Sequence, residues 1–229
     1  MKVAPLISTL CICAASLCFA QKFDHTRANE VQTIIAKGTI HDGANTLNVV
    51  TSTRGQSAMK MAVFNDLKSV RITIIYRGGE IHLSESTPTQ TTIRKLNDIE
   101  AASYLIDLLS INPDYHFRKE EGFDLNNPIF KGYNVNVEMA VDDPTNEDDL
   151  KRETPTRIQL FKVDKEAPKL IREIKYLSFH QSNNEFLKPK EILFIDYSRK
   201  RRGRIVLNNH EYNIGLPEFL FELRDETAE

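Results

Sequence analysis

The 229-residue chain has no tryptophan and only three cysteines, Cys11, Cys13 and Cys18, all near its start. A mature form without that segment carries no thiol, which excludes disulfides, zinc-thiolate centres and cysteine nucleophiles from it. An excess of either charge is lacking too. Thirty basic residues stand against thirty-two acidic ones, a formal −2, so no global field favours nucleic acid. At 27% charged residues the chain is too polar for a multi-span membrane protein, and at 41% hydrophobic it is apolar enough for one sizeable core. Catalytic signatures are missing as well: no H-E-x-x-H, no G-x-S-x-G elbow, no S-x-x-K and no glycine-rich phosphate loop occurs.

What is present begins with a compartment. Residues 1–20 run from Lys2 through an uncharged apolar stretch to Cys18-Phe19-Ala20, the pattern of a secretory signal with a small-x-small cleavage site after Ala20. An uncleaved anchor is the alternative reading. Leu17 is not the small residue that a lipidated Cys18 wants before it. Export without cysteine suits a bacterial envelope protein, periplasmic once cleaved, since a chain of about 200 residues can be held by its core alone. Residues 21–229 then read as a single domain, without internal repeat or dividing linker.

From residue 31 a period of two dominates. Residues 31–40, 45–52, 56–64, 69–77 and 80–86 read as an antiparallel meander with turns at His41-Asp42-Gly43-Ala44, Arg54-Gly55 and Gly78-Gly79. One helix is expected over 97–111, with Asn97 capping, Glu100 completing a capping box and Asn112-Pro113 stopping the run. Its apolar stripe of Ile99, Ala102, Ile106 and Leu109, widened by Leu105 and Leu108, places it deep against a sheet. Residues 132–141, 156–163, 170–179 and 191–197 are further strands, 203–208 and 210–214 two short final ones, and 218–223 a short helical or extended tail. Residues 72–75, 170–177 and 192–195 are apolar on both faces, so something covers the second side. One helix cannot cover about ten strands; the remaining apolar surface either closes as a sandwich or barrel or lines a cavity.

Candidate chemistry is sparse. The six histidines, at 25, 41, 82, 116, 180 and 210, show no ligand spacing, and His82, His180 and Asp196 are the titratable groups whose convergence an enzyme would need. The acidic run 142–153 lacks the alternation and central glycine of a calcium loop and reads as a solvated hairpin connection. Arg199, Lys200, Arg201, Arg202 and Arg204 form the one strongly basic run, a hairpin connection that reads either as structural or solubilising or as a docking patch for anionic lipid or a partner protein in an exported chain.

Three pieces, in order, resemble the LolA-like family of periplasmic lipoprotein-sorting carriers. They are Ile72-Thr73-Ile74-Ile75-Tyr76-Arg77-Gly78-Gly79-Glu80-Ile81-His82-Leu83, the 97–111 helix, and Pro189-Lys190-Glu191-Ile192-Leu193-Phe194-Ile195-Asp196-Tyr197 followed by Asn213-Ile214-Gly215-Leu216-Pro217 and Glu218-Phe219-Leu220-Phe221. The resemblance spans most of the chain from about residue 31 to 223. It implies an α+β, mostly antiparallel fold: a curved, incomplete β-barrel with one main helix packed on its concave face. It also implies a non-enzymatic carrier without cofactor, whose apolar groove binds a lipid or an acylated lipoprotein and which meets envelope membrane proteins but no nucleic acid. The family's long N-terminal amphipathic helix is absent or very short here. Candidate groove residues are Ile72, Ile74, Tyr76, Leu105, Leu109, Val135, Val137, Ile174 and Tyr176. The alternative is an interaction module with a filled core that docks its partner through the basic run.

Overall fold

Alternation of apolar and polar residues gives each strand one wet and one packed face, and hydrogen bonding joins them into one sheet. A computed structural model describes residues 33–43, 45–67, 71–117, 122–141, 153–180 and 188–222. The expected signal segment and the three cysteines lie outside these residues. Of the acidic run only Glu153 is described, as the first residue of a strand.

Strands β1 (Thr33–Asp42), β2 (Asn45–Arg54), β3 (Ala58–Phe64), β4 (Arg71–Arg77), β5 (Glu80–Ser86) and β6 (Thr91–Lys95) make the first meander. Helix α1 (Asp98–Ser110) and a single turn, α2 (Pro113–His116), follow. A second meander then runs through β7 (Tyr133–Val141), β8 (Glu153–Lys162), β9 (Lys169–Phe179), β10 (Pro189–Asp196) and β11 (Arg201–Tyr212). The sheet has 11 strands in the order β6-β5-β4-β3-β2-β1-β11-β10-β9-β8-β7, every pair antiparallel. β6 and β7 are its two edges, so the barrel is open.

Curvature follows from the helix. α1 touches β3 and β5 on one side and β8 and β9 on the other. In a flat sheet β5 and β8 would lie about 38 Å apart, beyond the reach of a helix roughly 10 Å wide; the sheet therefore curls round α1. Register aligns one concave face across it: Ile74 lies opposite Met61 and Leu83, Ile192 opposite Ile205 and Tyr176, and Ile158 opposite Ile174 and Val137. α1 is buried almost all round, with Leu105, Ile106 and Leu109 fully enclosed. Each such side chain contributes roughly 1.5–3 kcal/mol relative to exposure. On the convex side Leu216 and Phe221 pack on Ala58, with Ile35 and Leu220 beside them, and Lys60 Nζ donates to the Leu220 carbonyl at 3.0 Å. The two-faced apolar strands are thus covered by α1 within and partly by the C-terminal segment without.

Three expectations need correction. β6 was not anticipated. Its residues Thr91–Lys95 are mostly exposed, so it shows no apolar alternation and is held by backbone pairing to β5. The last two short strands are one, β11, whose register against β1 shifts between Lys37 and Gly38; that bulge reads as a break in alternation. Asn97 is extended at the helix start but its side chain caps nothing. Glu100 turns instead to Arg94, at 2.7 Å, and Arg199, at 2.5 Å.

The β1–β11 seam joins the two meanders, and its bulge depends on a glycine. A Cβ at Gly38 would stand 2.0 Å from the Val206 carbonyl oxygen and 2.8 Å from Leu207 Cα, both backbone. Gly38→Ala is expected to destabilise by about 2–3 kcal/mol through the forced backbone shift, read as a lower urea midpoint. An unchanged midpoint would show that the seam yields freely.

Candidate functional site

A 13-residue helix is about 20 Å long and cannot fill the whole concave face. On the β8 and β9 side Ile158, Leu160 and Ile174 are fully buried against α1. On the other side a groove of about 230 Å³ remains, open to solvent. Its apolar floor comprises Ile40 on β1, Met61 and Val63 on β3, Ile72 and Ile74 on β4, and Phe194 on β10. Gly203 and Ile205 on β11 complete it, the glycine adding no bulk where the strand passes below the mouth. Ile99, Ser103 and Tyr104 of α1 form the opposite wall.

The mouth is charged, and three of its arginines, Arg172, Arg199 and Arg201, are held by carboxylates. Arg172, on β9, forks onto Asp107 of α1, with Nε to Oδ1 at 2.9 Å and Nη2 to Oδ2 at 2.5 Å, and its Nη1 donates to Asp196 Oδ2 at 3.3 Å. The same guanidinium lies over the Phe194 ring at 5.6 Å. Asp196 Oδ1 accepts from Ser198 Oγ at 2.6 Å and from the Arg199 amide at 2.9 Å. Arg199 reaches Glu100 at 2.5 Å and Arg201 pairs with Asp42. Burial pushes the Asp107 carboxyl up while the Arg172 charge pulls against it. At Asp196 burial also pushes upward, but the Ser198 hydroxyl, the Arg199 amide and Arg172 outweigh it and hold the carboxyl below its usual range. Glu100 is lowered by its hydrogen bond from Arg94, with Arg199 adding to it.

Of the sequence candidates, Ile72 and Ile74 line the groove. Leu105, Leu109 and Ile174 are fully enclosed core. Tyr76 is buried, its hydroxyl accepting from Asn127 at 2.9 Å. Tyr176 donates to the Ser110 carbonyl at 2.9 Å, and Val135 and Val137 pack half-buried against the core from β7. None of these seven is among the residues that line the groove. The basic run is not a free patch: residues 197–200 form the β10–β11 turn, Arg199 and Arg201 border the groove in ion pairs, and Arg204 pairs with Glu191 at 2.7 Å. Arg202 also borders the groove and Lys200 sits in the turn with φ 54°.

His82, His180 and Asp196 do not converge. Asp196 lies opposite Arg172 while His180 follows Phe179 at the other end of β9, its Nε2 donating to the Leu207 carbonyl at 2.8 Å. His82 sits on β5, 3.8 Å from Glu80. Among the described residues no cluster of three or more His, Cys, Asp or Glu is placed to hold a metal, and no helix is long and apolar enough to cross a membrane. Sequence reading missed Met61, Val63, Phe194, Asp107 and Arg172. Asp107 carried a signal, as the lone charge in the apolar run 104–111; Arg172 carried none, standing beside Glu173 and between Lys169 and Lys175.

No protein-family model and no curated protein matches the chain. Solved structures similar to it include the following three. One is a domain from Vibrio parahaemolyticus assigned to outer membrane lipoprotein sorting, at 10% identity and TM-score 0.49, covering 82% of this chain and 88% of that one. Another is a LolA superfamily protein from Nitrosomonas europaea, at 10% identity and TM-score 0.45, covering 86% and 95%. The third is a DUF1329 family protein from Desulfovibrio piger, at 11% identity and TM-score 0.41, covering 86% and 92%.

Proposed function

We propose that this is an exported, non-enzymatic binder or carrier of a lipid or an acylated protein, which lodges hydrocarbon in the groove between α1 and the concave face. The observation that carries the proposal is the groove itself: about 230 Å³ with an aliphatic and aromatic floor, left unfilled beside a helix whose other flank packs on the fully buried Ile158, Leu160 and Ile174. Enclosing an alkyl chain there contributes about 0.8 kcal/mol per methylene, which suffices for carriage without chemistry. The signal-like residues 1–20 are part of the same proposal, since an exported protein meets amphiphiles at the envelope.

Filling the groove tests it. Val63 and Ile72 are only partly buried, so Val63→Trp and Ile72→Trp can extend into the space without displacing the core. Each is expected to weaken binding of a fluorescent fatty-acid probe at least tenfold while the melting temperature moves by only a few degrees. Leu177→Trp, at an exposed position on β9, serves as control and leaves binding unchanged. Unaltered probe affinity in both groove variants would remove the groove from the function.

A further inference from the structure

The dimensions and the charge pairing of the mouth say more about the occupant. Resting on the carrier reading, we infer that the groove accommodates a single alkyl chain whose head is zwitterionic. At interior packing density a methylene takes up roughly 25–30 Å³, so a groove of about 230 Å³ encloses about eight or nine methylenes. That is the inner part of one chain. Two chains side by side would each be only half covered, with the remainder held in water.

The head is argued from the rim. Arg94, Arg172, Arg199 and Arg201 face Asp42, Glu100, Asp107 and Asp196, and every one of these arginines is bound to a carboxylate of the set. Arg202 also borders the groove, but it is exposed and stands one residue off the concave register that Arg201, Gly203 and Ile205 share with Asp196, Phe194 and Ile192, at the outer edge of the mouth. Within the concave register a purely anionic head would have to take an arginine from Glu100 or Asp42 and leave that carboxylate beside it; a purely cationic head meets the converse. A phosphate joined to an ammonium a few ångströms away can align against the Arg201–Asp42 or Arg199–Glu100 pair without separating it, and a rim already neutralised in pairs makes binding depend weakly on salt.

Calorimetric titration of the full mature chain, with every probe below its micelle concentration, separates the possibilities. Alkylphosphocholines of six to fourteen carbons should bind one per protein. Their affinity should rise up to about fourfold per added methylene, then flatten beyond about ten carbons. Dodecylphosphocholine should bind at least fivefold more tightly than dodecanoate or dodecyltrimethylammonium, and Asp42→Asn, which frees Arg201, should shift the preference toward dodecanoate. Stoichiometry of two chains, uptake of diacyl phosphatidylcholine from vesicles, or equal or tighter binding of dodecanoate by the unmodified chain would overturn the inference while leaving the carrier proposal standing. Failure of every alkyl probe to bind would overturn both.

Discussion

Arg172→Met is expected to cost about 3–5 kcal/mol of stability at pH 7.5, because it leaves two buried carboxylates without their cation. Asp107 and Asp196 are 6% and 7% exposed and meet on the one guanidinium. Without it, burial and mutual repulsion raise the folded-state pKa of the pair above the unfolded value of about 3.9. A group raised in this way favours the fold where it is protonated and loses that contribution as pH rises through its folded pKa. The penalty in the variant should therefore shrink on moving from pH 7.5 to pH 5, opposite to ordinary acid destabilisation. Asp107→Asn added to Arg172→Met should recover about half the loss by removing one of the charges. Urea unfolding of the single and double variants at both pH values gives the answer; a penalty below about 1 kcal/mol, or one independent of pH, would mean that water reaches the pair.

The native chain should itself lose stability steeply in mild acid, and His116 is the main cause. Its ring is fully enclosed, and Nδ1 donates to Gln56 Oε1 at 2.7 Å, the tautomer following because Gln56 Nε2 is spent on the Tyr115 carbonyl. Nε2 is buried without a hydrogen-bond partner among the described residues. Burial holds the imidazole down at about 3 against its usual 6.5. A histidine lowered in the fold contributes stability that is whole above 6.5 and drains away as pH falls toward the folded value. At about 1.4 kcal/mol per pH unit the whole span is worth about 5 kcal/mol, of which about 2 falls between pH 6.5 and 5. His210, held at about 4 mainly by burial, with His180 and Lys188 adding repulsion, acts in the same direction. His116→Gln should lower stability at pH 7.5 by about 1–2 kcal/mol yet flatten the decline between pH 6.5 and 5. Melting curves in half-unit steps of pH check this, and an unchanged slope in His116→Gln would place the acid sensitivity elsewhere.

Much of the fold was legible because period two in a half-buried strand is a direct imprint of burial. β7 shows it plainly, half-buried Tyr133, Val135 and Val137 alternating with exposed Asn134 and Asn136. β6 escaped because an edge strand held by backbone bonds and exposed on its sides imprints nothing. Apolar residues on both faces of β4 implied a second cover, and the sequence does not say that the chain's own C-terminal segment supplies it; on β9 and β10 the outer apolar residues stay exposed at Leu177 and half-buried at Leu193 and Ile195. The groove was legible only at Ile72 and Ile74. Periodicity tells which face of a strand is packed; it does not tell where along that face the helix stops, and that boundary separates Ile74 from Tyr76 and Met61 from Met59. The rim was invisible for another reason. Arg199 was conspicuous in its basic run, while its partner Glu100 lies 99 residues away, and long-range pairing leaves no local trace.

The central claim is that hydrocarbon enters beside α1, and anomalous scattering from a bromine on the terminal carbon of an alkylphosphocholine tests it most directly. The bromine should appear at van der Waals distance, about 4 Å, from Met61, Ile74 and Phe194. A bromine signal on the convex face or at the sheet edges, with the groove empty, would contradict it.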